Sequence, residues 1–372
     1  MATISNATLK LWVYQGDFGA DKPITPTYTL YKEKASSENT IVFEISELVK
    51  DFIIVSFTGD FSSIKQTAWA EWEITRVFDD ASTDTIKESA IAFNGYGYFE
   101  DGINPELSKG LLQSNTIVYH KSGDDFYLPI YSAANGAYEV KYYEGASVSQ
   151  TVNYGSVCKP ISIDMTTEGM DDTSNYTLDK TEICDSSSDN IVTTSVVTSS
   201  PTKVEVTDTA GNVTTVTVNH IEECLNTPYR CSFINKFGAI QNLYFFKRRD
   251  ESVDISKEEY TSNTIATPTA TELAEAISPS SVSYSKNKPV NKIFNVKAKK
   301  KLKLNTGYVD ESFNEVMQQL MLSEQAWILE DGEVYPINPV TSSMQYKTRL
   351  WDRLVDYQMD FEYAYDEINQ IR

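Results

Sequence analysis

The sequence predicts a mainly β protein of two or three domains, built from β-sandwich-like and β-barrel-like modules. Apolar and polar residues alternate with a period of two through much of the chain, the pattern of strands that bury one face. The chain carries 23 tyrosines, and Tyr suits a half-buried pleated surface, where the ring packs and the hydroxyl meets water. One well-patterned stretch near the end, 310–322, shifts to the period of an amphipathic helix. At 372 residues the chain exceeds one small core, since a domain takes roughly 100–200 residues.

Residues 1–156 read as an N-terminal β-sandwich domain. "AWAEWEITRVF" places Ala68, Ala70, Trp72 and Ile74 on one face and Glu71, Glu73 and Thr75 on the other. "EISELVKDFI" predicts a short helix capped by Ser46, with Leu48, Val49 and Phe52 on one side. "FNGYGYFEDGINPE" predicts a strand running into a turn. "AYEVKYYE" alternates again, through Tyr138, Val140 and Tyr142.

Residues 157–227 are rich in Ser, Thr and Asp and predict a small immunoglobulin-like insertion. "KVEVTDTAGNVTTVTV" is a hairpin with Val204, Val206, Val216 and Val218 buried, and "IVTTSVVTSSP" reads as another short strand. Residues 228–372 form a C-terminal β module. It begins with strand, turn at Gly238, strand. "TPTATELAEAI" then predicts an exposed helix in a connecting excursion. Next, in "VKAKKKLKL", Lys297, Lys299, Lys301 and Lys303 share one face, while Val296, Ala298, Leu302 and Leu304 face a core and Lys300 breaks the pattern. The helix over 310–322 takes Asp310 as N-cap and lays Phe313, Val316, Met317, Leu320 and Met321 on one stripe. The final strand alternates Val355, Tyr357, Met359, Phe361 and Tyr363 with Asp356, Gln358, Asp360 and Glu362.

A net charge of −21 argues against a general nucleic-acid binder. The first twenty residues lack the basic and apolar regions of a signal peptide, and no apolar run reaches the ~20 residues of a membrane span. The expectation is a soluble protein made in a cytosol. With two histidines, His120 and His220, acid–base chemistry has few candidates. His120 is expected to be exposed or at a sheet edge. No nucleophile-elbow, P-loop or zincin motif occurs, so the sequence predicts neither an enzyme nor a cofactor. The cysteines Cys158, Cys184, Cys224 and Cys231 are expected as free thiols. A zinc site of His220, Cys224, Cys231 and a distant cysteine would lack the tight ligand pairs of structural zinc sites. The acid pairs Asp79-Asp80, Asp124-Asp125 and Asp171-Asp172 read as solvated turns.

The lysine face is the sharpest functional feature. Lys286 to Lys303 holds eight lysines and no acid, whereas Asp310 to Arg372 holds thirteen acids against four basic residues. Three readings stand: a solvated edge that discourages aggregation, a contact with an acidic neighbouring subunit, or contact with nucleic acid. The candidate interface residues are Lys297, Lys299, Lys301 and Lys303 against Asp356, Asp360 and Glu362.

The blocks "CSFINKFGAIQNLYFFKRR", "VKAKKKLKLNTGYVDESFNEVMQQLMLSEQAWI" and "YPINPVTSSMQYKTRLWDRLVDYQMDFEYAYDEINQIR" carry a resemblance. So do "FEISELVKDFI" and "YGYFEDGINPELS" near the front. Together they resemble a module of tail and other virion proteins of phages that infect Bacteroidetes, including crAss-like phages. The likeness covers about two-thirds of the chain and leaves out the Ser/Thr-rich middle and the lysine-rich excursion. It rests on sequence texture, with no catalytic motif. It implies a structural subunit of a phage tail, located in the virion, that forms a homo-oligomeric ring or hub around the DNA channel. Its partners would be itself, neighbouring tail proteins such as other rings, portal-proximal proteins or fibres, and transiently DNA, with no membrane. A ring needs two different complementary patches on each subunit, and the lysine strand and the acidic C-terminal region are the candidate pair. The rival readings are a tail-fibre-type protein that binds a host glycan receptor and a tail-associated glycan hydrolase. The first needs an exposed aromatic platform, the second two carboxylates converging at roughly 5–10 Å.

Overall fold

The computed structural model describes residues 3–15, 19, 21–36, 40–53, 55, 57–59, 67–103, 105, 111–121, 124, 126–130, 138–154, 161–162, 201–208, 210–223, 225–262, 286–346 and 354–368. The protein is mainly β, as its alternation predicts, with three principal sheets. The expected strand in "IVTTSVVTSSP", apart from Pro201, and the expected helix in "TPTATELAEAI" lie outside the described residues. So do Cys158, Cys184, Cys224, Asp125, Asp171 and Asp172.

The first sheet is antiparallel. It comprises β1 (Ile4–Tyr14), β2 (Tyr28–Glu33), β3 (Thr67–Phe78) and β4 (Thr83–Phe93), in the order β2–β1–β3–β4. Leu9, Leu11 and Val13 of β1 and Ala68 and Ala70 of β3 bury one face. The short helix α1 (Ser46–Lys50) adds Val49 to this core. Its N-cap position is Ile45 rather than Ser46, whose hydroxyl instead donates to Glu44 Oε1 at 2.5 Å.

The second sheet holds β5 (Ile117–His120), β7 (Tyr138–Glu144), β8 (Ser147–Tyr154), β10 (Lys203–Thr207) and β11 (Val213–His220). Beside it lies a small pair, β6 (Pro129–Ile130) with β9 (Ile161–Ser162). The order is β5–β11–β10–β7–β8, with β5 and β11 parallel and the other pairs antiparallel. Val204, Val206, Val216 and Val218 are buried, as the hairpin pattern predicts, and pack with Val140, Tyr142, Leu128 and Ile130. The hairpin is therefore not part of a separate immunoglobulin-like insertion. β10 pairs with β7 and β11 with β5, so one sheet crosses the expected boundary at 156/157. The valine face of a two-stranded hairpin cannot be covered by the hairpin itself; strands from the preceding segment complete the sheet and its core.

The third sheet contains β12 (Tyr229–Ile234), β13 (Ile240–Phe245), β14 (Asp250–Thr261), β15 (Asn291–Asp310), β16 (Ala326–Glu330), β17 (Glu333–Pro339) and β18 (Leu354–Tyr363). Its order is β13–β12–β16–β17–β18–β15–β14, antiparallel throughout. β15 carries a register shift between Asn305 and Tyr308. Beside it, Lys247 N donates to Asn305 O at 3.1 Å, which brings the end of β13 onto the sixth strand and curls the sheet like a barrel. The interior holds Phe233, Phe245, Leu302, Leu304, Ile328, Met359 and Phe361. Helix α2 (Phe313–Leu322) packs Phe313, Val316, Met317 and Leu320 into the same core, with Met321 partly buried against it. Asp310 is not its N-cap: Ser312 holds that position, and Asp310 ends β15 with its Oδ1 accepting from Ser312 N at 2.9 Å.

The outer face of this sheet joins the first. Ile234, Ile240 and Trp327 share the core of Leu9 and Leu11, and Trp327 meets Phe57 edge-on at 5.3 Å. The second sheet reaches the other side, where Tyr119 packs on Phe246 at 5.7 Å and Phe313 at 5.4 Å.

The segment leading into β5 and the end of β4 both meet the β12–β13 turn, and buried carboxamides join the turn to the first of these. Asn235 is fully buried. Its Nδ2 donates to Leu112 O (2.6 Å) and Gln241 Oε1 (3.1 Å), and its Oδ1 accepts from Phe237 N and Ala239 N. Gln241 Nε2 donates to Asn115 Oδ1, and Gln319 of α2 donates to Ser114 Oγ. The end of β4 crosses the same turn, with Tyr96 N donating to Lys236 O at 2.8 Å. Gly238 permits this crossing: its φ is +77°, and an added Cβ would lie 2.8 Å from Asn94 N.

Gly238→Ala is predicted to lower the unfolding free energy by about 3 kcal/mol, combining left-handed strain with a backbone clash. Gly211→Ala has similar strain (φ +85°) but open space around its Cβ, so it loses about 1 kcal/mol. Urea unfolding of the two variants checks the ranking.

Candidate assembly interface

β14 and the first half of β15 form a two-stranded arm that leaves the body of the third sheet. The outermost β18 pairing is Glu362 opposite Lys301, whereas β14 follows β15 out to Thr261 opposite Asn291. Beyond Lys301 the arm continues for ten residues of β15, about 30 Å at the rise of an antiparallel strand. All twelve residues of β14 are exposed. Glu367 N donates to Ala298 O at 2.8 Å. From Val296 outward, no described strand covers the second edge of β15.

Charge is divided between the two strands. β14 carries Asp250, Glu251, Asp254, Glu258 and Glu259 against one lysine, Lys257; Asn291 to Lys303 of β15 carries six lysines and no acid. This complementarity sets which strands sit side by side. Lys301 Nζ lies 2.5 Å from Asp254 Oδ2, and that hydrogen bond holds the amine above the usual lysine range. Lys300 Nζ lies 3.0 Å from Glu251 Oε2. On the other flank, Lys299 is 3.5 Å from Glu362 and Lys303 is 3.6 Å from Asp360. Exposed pairs of this kind contribute roughly 0–1 kcal/mol each, so they select register more than they stabilise.

The expected lysine face is therefore present, but its acidic complement is partly intrachain. Asp360 and Glu362 are cross-strand neighbours of the lysines within one chain. Asp356 lies further along β18, opposite Tyr308. Lys297 and Lys292 have no acidic partner among the described residues. Lys300, the break in the alternation, turns to the core side, with its amine 5.2 Å from the Tyr363 ring centroid. That position lets it close the end of the core while reaching Glu251.

Arg249 anchors the base of the arm. Its side chain is 8% exposed and stacks over Tyr229 at 4.5 Å. It forms a bidentate pair with Glu330, Nη1 to Oε1 at 2.5 Å and Nη2 to Oε2 at 3.1 Å, and also contacts Glu251 at 2.5 Å. Burial opposes ionisation of Glu330, but the Arg249 hydrogen bonds outweigh it and hold the carboxyl below its usual value.

The arm also exposes apolar side chains that the sequence reading did not single out: Val253, Ile255 and Tyr260 on β14, and Val290, Ile293 and Phe294 on or beside β15. Tyr260 and Phe294 contact each other, with ring centroids 6.1 Å apart. Their signal in the sequence was the alternation in "SVDIS" and the acid-rich segment matched by a lysine-rich one.

His120 lies on an edge strand, as expected, but it is buried rather than exposed. Phe126, Tyr244 and His220 surround it at ring distances of 5.1, 5.9 and 6.4 Å. Burial pushes its pKa down to about 4; Asp124 acts weakly in the opposite direction. Cys231 is a buried free thiol inside the barrel-like core, and burial pushes its pKa up. It shares that core with Phe233 and Leu243, which is not a ligand environment. His220 Nε2 instead lies 3.2 Å from Pro201 O. Asp79 accepts from Thr3 N and Thr3 Oγ1, and Asp80 accepts from Ser82, as turn acids do. A surface cleft of 760 Å³ holds two carboxylates, Asp101 and Glu315. Glu315 is ion-paired to Lys236 at 2.5 Å and bonded by Gln319.

Glu330→Ala leaves Arg249 largely buried beside only Glu251, and is predicted to cost about 3 kcal/mol. Replacing both partners, Arg249→Leu with Glu330→Leu, is predicted to recover much of that loss in chemical denaturation. For His120, the folded pKa lies below the unfolded one. Its neutral form therefore contributes stability that is fully present above about pH 6.5 and is lost as pH falls toward 4. That contribution is about 3 kcal/mol. His120→Phe is predicted to flatten the decline in unfolding free energy between pH 6.5 and 4 by that order.

No protein-family model matches the chain, and no curated protein or solved structure matches it.

Proposed function

We propose that the protein is a structural subunit of a bacteriophage tail, acting through its surfaces in a homo-oligomeric ring or hub that contacts neighbouring tail proteins or fibres. The observation that carries this reading is the exposed arm. A ribbon with unpaired strand edges and apolar side chains in solvent is a liability for a monomer and an asset for a subunit that pairs with others. The resemblance of the C-terminal module and the front segments to virion proteins supplies the context of a phage tail. The curled third sheet, filled by α2, gives the arm a rigid base. The spare lysines of β15 are also the residues that would meet DNA if the arm lines a channel.

Mass photometry and negative-stain imaging of the purified full chain test this reading. A closed oligomer of uniform copy number, with the protein found in purified virions, is the expected result. A strictly monomeric protein absent from virions overturns it.

A further inference from the structure

Resting on the ring reading above, we infer that the arm is the subunit contact, formed by head-to-tail strand addition between copies of this chain. The outer edge of β15 in one copy, Asn291 to Lys297, takes the β14 edge of the next copy as an additional antiparallel strand.

Among the described residues both edges are open in a single chain. β14 is the terminal strand of its sheet, and all its residues are exposed. β15 is paired only with β14 outward of Val296 among the described residues. Open edges add strands through main-chain hydrogen bonds, with side chains choosing the partner. The charges of the two edges choose it here. Two β14 edges would bring five acids against five, which disfavours a twofold pairing. Two β15 edges would set lysine against lysine. A β14 edge against a β15 edge places acid beside lysine, the combination the chain already uses within itself at Lys301–Asp254 and Lys300–Glu251. Lys292, Lys297 and Glu259 have no charged partner within the described chain and remain for the neighbour. Exposed Ile293, Phe294, Val253, Ile255 and Tyr260 become cross-strand neighbours once the ribbons join. The directions also agree. Copies related by rotation about an axis along the arm keep β14 of the next copy antiparallel to β15, because the two are antiparallel within each arm. Such a contact is heterologous and closes into a ring or runs on as a filament.

Charge exchange tests the contact. Lys292→Glu with Lys297→Glu makes both edges acidic; Glu258→Lys with Glu259→Lys makes both basic. Each double variant of the full chain is expected to lose assembly at concentrations where the wild type is oligomeric. Mixing the two is expected to restore it, since each acidic edge then meets a basic one. The fourfold variant carrying all four changes is expected to assemble alone. Retained assembly of both double variants, or failure of the mixture and the fourfold variant when circular dichroism shows them folded, overturns the inference and leaves the ring reading standing. A wild type that is monomeric at every concentration overturns the ring reading and this contact with it.

Discussion

The buried turn at Asn235 is the constraint on which the rest of the molecule depends. A fully buried carboxamide with no partners costs a few kcal/mol, and Asn235 avoids that by satisfying four groups on two different segments. Gln241 and Asn115 extend the network to the segment that leads into β5, and Gln319 of α2 bonds Ser114 of the same segment. Each amide has at least one partner from another element besides its local ones, so the network is complete only when those elements are in place. That ties the third sheet, α2 and the segment leading into β5 together, and the end of β4 crosses the same turn. The curl of the third sheet around α2 is set elsewhere, by the register shift of β15 between Asn305 and Tyr308 and the Lys247–Asn305 bond. The arm is thus presented by a rigid base and does not hang from a loop.

The arm obeys different physics from the body. An isolated two-stranded ribbon is marginal in water, and its exposed ion pairs add little. Arg249, clamped by Glu330 and Glu251, fixes its root. Among the described residues its outer half has neither a core nor a third strand. An element of that kind stays ordered at modest cost only if binding completes it, and its division into an acidic and a basic strand limits what can complete it.

Features set by local periodicity were legible in the sequence. The valine stripe of β10 and β11, the alternation of β18 and the apolar stripe of α2 were read directly, because side chains at spacing two or at three to four must share a face. Partner choice was not legible. The parallel pairing of β5 with β11 joins residues 117–120 to 217–220, and nothing local to either strand encodes it. This is why one sheet crosses the compositional boundary at 156/157 and why His120, on a polar-looking strand end, is buried. The lysine face was read correctly as a face. That Asp360 and Glu362 sit beside it in one chain depends on the antiparallel register of β15 and β18, which the composition of the two segments does not specify.

In the proposed assembly a second copy closes the outer arm that the described residues of one chain leave open. Hydrogen exchange of the backbone amides of β14 and of Asn291 to Lys297 tests it most directly, compared between assembled and diluted, dissociated protein. Fast exchange at these edges in the dissociated chain and strong protection on assembly are expected, while amides of β12 and β16 stay protected in both. Fast exchange along the arm in the fully assembled state would contradict it.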